Sequence, residues 1–312
     1  MQESSEIPAP GDLIWSGLSR DPILRPGLAR ADVTGPDAAS FLNGQFTADV
    51  QHLAPGRWTW AGYCSAKGRL IATFRIARLP GGFVLQIPSA VAGDLLSRLR
   101  RFVLRAKVSL PAAAAPGSTA EFDGRHTSPG VIPGLDRWPA EGEVAEAGGC
   151  LLFGVEAGRV LAMGSTFDGA HSVGEGWEWR NDVMSGCPWI LPGAQEMFVP
   201  QMVGLETVGG VSFTKGCYPG QEIVARSQYL GEVKRRLFRI TAMSARVPQP
   251  GEPVTVASTS QPAGTVLIGS SADGSSVEAL AVLDVRLGNA DGLTLSDGAG
   301  IASCEAVHPA RE

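Results

Sequence analysis

The sequence predicts an α+β fold with two or three domains, and three observations support this. The chain of 312 residues is long for a single hydrophobic core. Strand-like and helix-like patterns alternate over residues 1–110, whereas no helical period appears after Lys234. Forty glycines and 22 prolines indicate many turns. We expect an N-terminal α+β domain over residues 1–110, a middle α+β region over 111–235 and a C-terminal β-barrel over 236–312.

The composition excludes several classes of protein. A hydrophobic content of 44% with 18% charged residues is that of an ordinary globular protein. The net charge of −5 argues against a protein that binds nucleic acid over its whole surface, although it is compatible with local basic patches. No stretch approaches the roughly 20 apolar residues of a membrane span, and no signal or transit peptide is visible.

The cysteines and histidines indicate neither a disulfide framework nor a zinc site. The five cysteines are odd in number and scattered, and no CxxC pair occurs. The four histidines show no spacing that is typical of metal ligands. We therefore expect no metal site, and a reduced, cytoplasmic protein.

The elements of the N-terminal domain follow from period and turn signals. Pro36 at a first helical position and Gly44 at the end bound a short helix. Alternating patterns predict strands, and a stripe of apolar residues at helical spacing predicts a longer helix. The predicted strands are Leu28–Thr34, Trp58–Cys64, Leu70–Ile76 and Phe83–Ile87, and the longer helix is Val91–Val103.

A basic run extends from that helix. It contains Arg98, Arg100, Arg101, Arg105 and Lys107. A solvated helix face explains such a run, and a surface that binds protein or tRNA is the alternative.

The middle region carries fewer signals. Leu151–Val155 and Arg159–Met163 predict a hairpin, and Pro200–Val208 predicts a short helix. Trp177 and Trp179 would share one face of a strand. Core packing is one explanation for the two rings, and stacking on a planar ligand is the other.

The C-terminal region reads as an antiparallel barrel or sandwich. Short apolar runs are separated by Gly, Pro, Asp and Ser, as in all-β domains. The predicted strands are Leu237–Thr241, Pro253–Ala257, Thr265–Gly269, Val277–Val285, Leu293–Leu295 and Ile301–Val307.

The stretch KGCYPGQEIVAR, Lys215 to Arg226, has the strongest chemical signal. Gly220 can act as the N-cap of a helix that Gly231 would close. Cys217 lies just outside that helix start and two residues from Lys215, and both features favour thiolate over thiol. The alternative is that Cys217 is a small buried apolar residue and that the glycines only shape a turn.

These residues together resemble the YgfZ family, relatives of the glycine-cleavage T-protein. The family pattern K-G-C-(F/Y)-x-G-Q-E, with a following A-R and K-R-x-L, is matched at Lys215, Gly216, Cys217, Tyr218, Gly220, Gln221, Glu222, Ala225, Arg226, Lys234, Arg235 and Leu237. Further matches are Val33–Val50, Lys67–Arg69, Phe198–Gln201 and Gly209–Phe213. The resemblance spans roughly residues 28–240.

The resemblance implies a T-protein-like ring of mixed α/β domains around a central channel, with a C-terminal antiparallel β-barrel. It implies that the channel admits tetrahydrofolate, and that the protein supports iron–sulfur cluster assembly or repair and thereby tRNA-modifying enzymes. Cys217 would be the reactive thiol, assisted by Lys215. The residues that would hold folate are Trp179, Trp177, Tyr218, Gln221, Glu222 and Arg226.

Two departures from the T-protein pattern stand out. Ile71, Ala72 and Thr73 follow the turn where T-proteins carry an acid, so aminomethyl transfer is not expected. Met184 replaces the glutamate that holds the pterin in T-proteins, so folate binding would depend on shape and stacking. A folate-binding accessory protein is therefore the favoured function. The alternatives are a one-carbon transferase and a scaffold that binds a protein or tRNA through Arg98–Lys107 and Lys234–Arg236.

Overall fold

The computed structural model describes residues 22–25, 27–116, 118–164, 167, 170–174, 176–229, 233–271, 273–287 and 292–307. The strands are β1 (Ile23–Leu24), β2 (Leu28–Val33), β3 (Trp58–Cys64), β4 (Leu70–Leu79), β5 (Gly82–Pro88), β6 (Ala115–Pro116), β7 (Ser118–Asp123), β8 (Val144–Ala147), β9 (Cys150–Gly154), β10 (Arg159–Gly164), β11 (His171–Ser172), β12 (Arg235–Ala242), β13 (Pro253–Val256), β14 (Pro262–Ser271), β15 (Val277–Asp284), β16 (Leu293–Thr294) and β17 (Ile301–Ala306). The α-helices are α1 (Ala38–Asn43), α2 (Ser89–Arg100), α3 (Arg180–Met184) and α4 (Gln221–Tyr229), and 3₁₀ turns lie at Pro129–Val131, Glu156–Gly158 and Pro200–Val203.

The first sheet has the strand order β3-β4-β5-β2-β6 and carries α1 and α2. The predicted strands and the two predicted helices of this part are confirmed. The apolar stripe of α2 is buried, as its helical spacing requires, through Val91, Leu95, Leu96 and Leu99. These residues share a core with α1 and with the sheet.

The second sheet has the order β11-β1-β7-β10-β9-β8. The predicted hairpin is confirmed, because β9 and β10 pair antiparallel around Glu156–Gly158. The N-terminal strand β1 joins this sheet through β7, whereas β6 joins the first sheet through β2. The two sheets thus exchange strands, and the bounds of the three predicted domains stay a prediction.

The third sheet contains the six C-terminal strands in the order β16-β13-β14-β15-β12-β17, all antiparallel. A single bridge from Thr294 to Gly300 lies near its two edge strands. The predicted antiparallel strands of the C-terminal region are confirmed, whereas the separate domain, the closed barrel, the ring and the central channel stay predictions. A large core takes residues from all three sheets, among them Trp60, Phe153 and Val282.

The structure corrects two local predictions, and a third lies outside the described residues. Trp177 and Trp179 do not share a strand face, because Trp177 lies in a turn and Trp179 directly precedes α3. The helix predicted over Pro200–Val208 is only a 3₁₀ turn, Pro200–Val203, which Gly204 ends in a left-handed conformation. Gly231, the predicted end of α4, lies outside the described residues.

Candidate functional site

Helix α4 begins directly after Gly220, as predicted. Gly220 has a φ of +79°, which glycine adopts without steric cost. Its carbonyl accepts hydrogen bonds from the backbone N–H groups of Ile223 and Val224. Only Val224 of the nine residues of α4 is buried, so the helix lies on the surface. Arg226 Nη2 pairs with Glu222 Oε1 at 3.0 Å, one turn away.

Lys215 fastens the segment before α4, residues 211–220, which we call the signature loop. Its ammonium donates to the carbonyl of Asn43 and, at 2.6 Å, to that of Phe46. It also lies 5.0 Å from the ring centroid of Tyr218. Burial lowers the pKa of Lys215 to about 8, and the nearby carboxylate of Asp49 partly offsets this effect. Lys215 therefore ties the signature loop to the end of α1 and the residues after it.

Cys217 is exposed, unlike its neighbour Tyr218, which is 6% exposed. Burial raises the pKa of the other thiols, which belong to Cys64, Cys150, Cys187 and Cys304. The loop is thus held by the partly buried Lys215 and the buried Tyr218, and it presents one thiol to solvent. The Lys215 ammonium contacts two carbonyls and the Tyr218 ring. Its role beside the thiol stays a prediction.

The turn Lys67–Arg69 packs directly on the start of α4. Gly68 has a φ of +67°, and a Cβ there would lie 2.9 Å from Ile223 Cβ and 3.1 Å from the Gly220 oxygen. Arg69 Nη1 donates to the Met197 carbonyl at 2.5 Å. Contact this close needs glycine on the turn, which explains the glycine there in physical terms.

Thr47 joins a third segment to the signature loop. Its Oγ1 donates to the Gly210 carbonyl at 2.5 Å and accepts from Gly62 N at 2.8 Å. Its carbonyl accepts from Ser212 N at 2.9 Å. The segments that match the family pattern, although far apart in the chain, therefore meet around the signature loop.

Trp179 stands apart from that loop and lines a cavity of about 510 Å³. Its ring lies 6.2 Å from that of Trp189 in an edge-on arrangement and 5.6 Å from the guanidinium carbon of Arg25. A Cβ at Gly27 would approach the Trp179 ring to 2.8 Å, so the ring is closely packed on one side. Its position at the cavity wall gives a planar ligand an aromatic surface.

The other walls of the cavity come from β14, from the loop before β13, from the segment before α3 and from Leu191. Lining residues include Glu178, Leu191, Arg246, Gln249 and Ile268. Glu178 Oε2 accepts from Gly176 N at 3.0 Å. The predicted folate ligands Trp177, Tyr218, Gln221, Glu222 and Arg226 are not among the lining residues. The structure therefore places the predicted folate ligands in two separate regions. Glu178, which lines the cavity, was not among the predicted ligands.

The two departures from the T-protein pattern have clear positions. Thr73 is buried, and its hydroxyl donates to the Pro188 carbonyl at 2.7 Å and accepts from Ile190 N at 2.9 Å. Ile71 and Ala72 beside it are also buried. Met184 ends α3, and its carbonyl accepts from Arg239 Nη1 at 3.0 Å. None of these side chains offers an acid or a base.

Behind the cavity lies a buried cluster of four charges that the sequence did not reveal, which we call the ionic cluster. Arg25 pairs with Glu121 and, at 2.5 Å, with Asp182. Arg159 pairs with Glu121 at 2.6 Å and with Asp182 at 2.8 Å. Burial acts to raise the pKa of Asp182, but the guanidinium groups outweigh it and hold that pKa well below its usual range.

Arg75 extends this cluster among three tryptophans. Its guanidinium carbon lies 5.3, 4.5 and 4.9 Å from the ring centroids of Trp58, Trp60 and Trp189. Its Nη2 lies 3.2 Å from Glu156 Oε2. The aromatic faces and the carboxylate together compensate the buried charge.

Among the described residues, no group of three or more His, Cys, Asp or Glu side chains is placed to hold a metal ion. No helix in the same part of the chain has the length and apolar character needed to cross a membrane.

Comparisons with known proteins point to one family and one fold. No family model matches the chain. It is 31% identical over 236 residues to the tRNA-modifying protein YgfZ of Edwardsiella ictaluri, covering 71% of each chain. It is 31% identical over 237 residues to the protein of that name from Klebsiella pneumoniae, covering 72% of each.

The fold is similar to the crystal structure of glycine cleavage system aminomethyltransferase T from Bartonella henselae. The TM-score is 0.67, and the match covers 96% of this chain and 88% of that one. The identity of 12% limits this likeness to the fold. The T-protein-like mixed α/β fold expected from the sequence is confirmed at that level.

Proposed function

The chain belongs to the YgfZ family, and on this basis we propose that it is a folate-binding accessory protein of tRNA modification that supports iron–sulfur enzymes. The relatives at 30–31% identity carry the name tRNA-modifying protein. The observation that carries the proposal is the position of Cys217, whose exposed thiol lies on a loop pinned by Lys215 and Tyr218.

An exposed thiol on a pinned loop suits contact with another macromolecule. Thiolate sulfur is the usual protein ligand of iron–sulfur clusters, and it is also a nucleophile. A thiol buried in the core could not reach a partner molecule. In the proposed function Cys217 meets a partner protein, and the cluster belongs to that partner.

The cavity beside Trp179 fits the folate part of the proposal. Its volume of about 510 Å³ lies in the usual range of about 300–1,000 Å³ for small-molecule sites. The ring of Trp179 would hold a pterin by stacking. The carboxylate of Glu178 would accept hydrogen bonds from the amino edge of the pterin. It would thereby replace the glutamate that T-proteins have at the position of Met184. Bound folate would supply a one-carbon carrier to this site.

A one-carbon transferase of the T-protein type is the weaker candidate. Such a reaction needs a general acid or base near the one-carbon unit. The hydroxyl of Thr73 already donates a hydrogen bond to the backbone of Pro188 and accepts one from the backbone of Ile190. Ile71 and Ala72 have no titratable group.

The cellular role is tested by the modified-nucleoside profile of total tRNA. A strain that lacks its own YgfZ protein is complemented with wild type, Cys217→Ser or Cys304→Ser, and tRNA nucleosides are quantified by mass spectrometry. We expect wild type and the half-buried control Cys304→Ser to restore the profile and Cys217→Ser to fail. If Cys217→Ser restores the profile fully, with all proteins at equal abundance, Cys217 is not required for the function.

Folate binding is tested by calorimetric titration with tetrahydrofolate. We expect Trp179→Ala to weaken binding about fivefold or more, because stacking on an aromatic ring contributes about 1–3 kcal/mol. Glu178→Gln keeps the shape of the cavity and isolates the contribution of the carboxylate. Unchanged affinity in both folded variants would exclude this cavity as the folate site.

A further inference from the structure

The structure divides the predicted basic run into two kinds of cation. Arg98 Nε pairs with Asp94 Oδ2 at 2.9 Å, one helical turn away. Arg100 Nη1 donates to the carbonyls of Pro111 and Ala112 at 2.8 and 2.6 Å. These two arginines are therefore used within the fold.

The other three cations lie in residues 101–107 (RFVLRAK), which we call the basic tip. Arg101, Arg105 and Lys107 are exposed. Within the described part of the chain, their side chains make no hydrogen bond and no ion pair. Three positive charges without an ion pair lie within these seven residues, in contrast to the net charge of −5 for the whole chain. The basic tip is thus a local anion-attracting surface on an acidic protein.

Two large apolar side chains accompany these charges. Phe102 is 49% exposed and Leu104 is 85% exposed. Val103 between them packs against the core of the first sheet, so the neighbours are turned outward. Exposed apolar groups beside unpaired cations mark a surface that another molecule covers.

The basic tip is also held in place. Lys107 N donates to Asp37 Oδ2 at 2.7 Å, and Asp37 N donates to the Lys107 carbonyl at 3.3 Å. Ala106 packs on the same core as Val103. The outward side chains therefore sit on a backbone that is anchored at two points, which lowers the entropy that binding costs.

One short helix connects the basic tip with the signature loop. Asp37, which holds Lys107, directly precedes α1, and Asn43, whose carbonyl accepts from Lys215, ends it. A helix of six residues is about 9 Å long. The anchors of the two surfaces are therefore separated by roughly three nucleotides of a stacked strand, at about 3.4 Å each.

We propose that the basic tip binds the phosphate backbone of tRNA, with Phe102 stacked on an unpaired base, beside the signature loop. The choice of tRNA as the RNA rests on the proposed function, whereas binding through the basic tip does not. Phosphates match the three unpaired cations, and a half-exposed aromatic ring suits a splayed base. An acidic protein would match the charges but would draw its affinity from Leu104, the most exposed apolar side chain.

Binding is measured by fluorescence anisotropy with labelled bulk tRNA and the full chain. With three phosphate contacts, we expect the affinity to fall roughly 20- to 40-fold between 50 and 200 mM KCl. The double variant Arg101→Glu/Arg105→Glu should lose about tenfold or more at low salt. The control Arg137→Glu/Arg286→Glu alters the net charge equally at two other exposed arginines and should lose less than about twofold.

Phe102→Ala and Leu104→Ala separate the possible partners. We expect Phe102→Ala to weaken tRNA binding about fivefold or more, and Leu104→Ala to have a smaller effect. Equal losses in the two charge-reversal variants would overturn the proposal, as would binding to anionic phosphatidylserine vesicles with no binding to tRNA. A larger effect of Leu104→Ala, with no salt dependence, would assign the surface to a protein partner instead.

The same strain assay distinguishes this proposal from the proposed function. A tRNA nucleoside profile restored by Arg101→Glu/Arg105→Glu but not by Cys217→Ser would leave the family role intact and reject the basic tip. Failure of both variants, with tRNA binding lost only in the first, supports a tip that places tRNA beside Cys217.

Discussion

Gly68 and Gly220 meet backbone to backbone, and this contact joins two segments that lie more than 150 residues apart in the chain. A Cβ at Gly220 would lie 2.6 Å from Gly68 Cα and 2.5 Å from the Ser65 oxygen. Both glycines have positive φ, at +67° and +79°. The position of the first residues of α4 is thus fixed by contact with the turn Lys67–Arg69 as well as by the cap at Gly220.

We expect Gly220→Ala to destabilise the protein by at least about 2 kcal/mol. A positive φ costs about 1–2 kcal/mol for alanine, and the methyl group would also collide with backbone atoms that have no room to move. The control is Gly216→Ala, because a Cβ there meets no atom within 4 Å. Urea unfolding measures both variants. Equal stability of the two would contradict a close contact at Gly220.

Cys217 should be the fastest thiol of the five to react with iodoacetamide at neutral pH. It is exposed, whereas burial raises the pKa of Cys64 to about 12 and that of Cys304 to about 11. Brief labelling of native protein followed by peptide mass spectrometry ranks the rates. Labelling of Cys304 or Cys150 at the same rate would show that exposure does not control reactivity here.

Lys215 should make stability rise with pH in alkaline solution. Its pKa is about 8 in the folded protein against an ordinary value of 10.5. Between these values the unfolded chain holds the proton and the folded protein has released it, so the free energy of unfolding increases as pH rises. We expect a slope below about 1 kcal/mol per pH unit, because the side chain is partly solvated.

The matched comparison for this slope is Lys215→Met. The variant has no titrating group at this position, so its free energy of unfolding should lack the increase between pH 8 and 9.5. Titrations of other groups are common to both proteins and cancel in the difference. Parallel pH profiles for wild type and Lys215→Met would show that burial does not shift the lysine.

Local patterns in the sequence predicted much of the fold and helix α4. The apolar spacing of α2 and the capping position of Gly220 depend on neighbouring residues alone. Both could therefore be predicted from the sequence. Trp177 and Trp179 were misplaced on a strand because their i, i+2 spacing fits a strand and also fits a turn before a helix. Tertiary packing decided between the two.

The ionic cluster could not be predicted, because its members lie far apart in the sequence. Glu121 follows Arg25 by 96 residues, and Asp182 follows Arg25 by 157. Each residue alone resembles an ordinary surface charge. Only the strand exchange that brings β1 beside β7 makes them neighbours. Glu178 was missed for the same reason, since the cavity it lines is completed by the third sheet.

In the ionic cluster, Asp182→Asn should destabilise the protein by about 3–5 kcal/mol. The change leaves the buried guanidinium groups of Arg25 and Arg159 without a full counter-charge. The control is Asp32→Asn, which removes the same charge from a pair with Arg30 that is partly exposed. That variant should lose no more than about 1 kcal/mol.

Acid gives the cluster a second signature. The pKa of Asp182 lies below its ordinary value of 3.8 in the folded protein. Below about pH 4 the unfolded chain therefore takes up a proton that the folded protein does not bind, and stability falls as pH falls. Asp182→Asn lacks this proton uptake, so its loss of stability between pH 5 and 2 should be shallower than that of wild type. Urea unfolding across this range measures both slopes, and an equally steep loss in Asp182→Asn would show that other carboxyl groups govern acid unfolding.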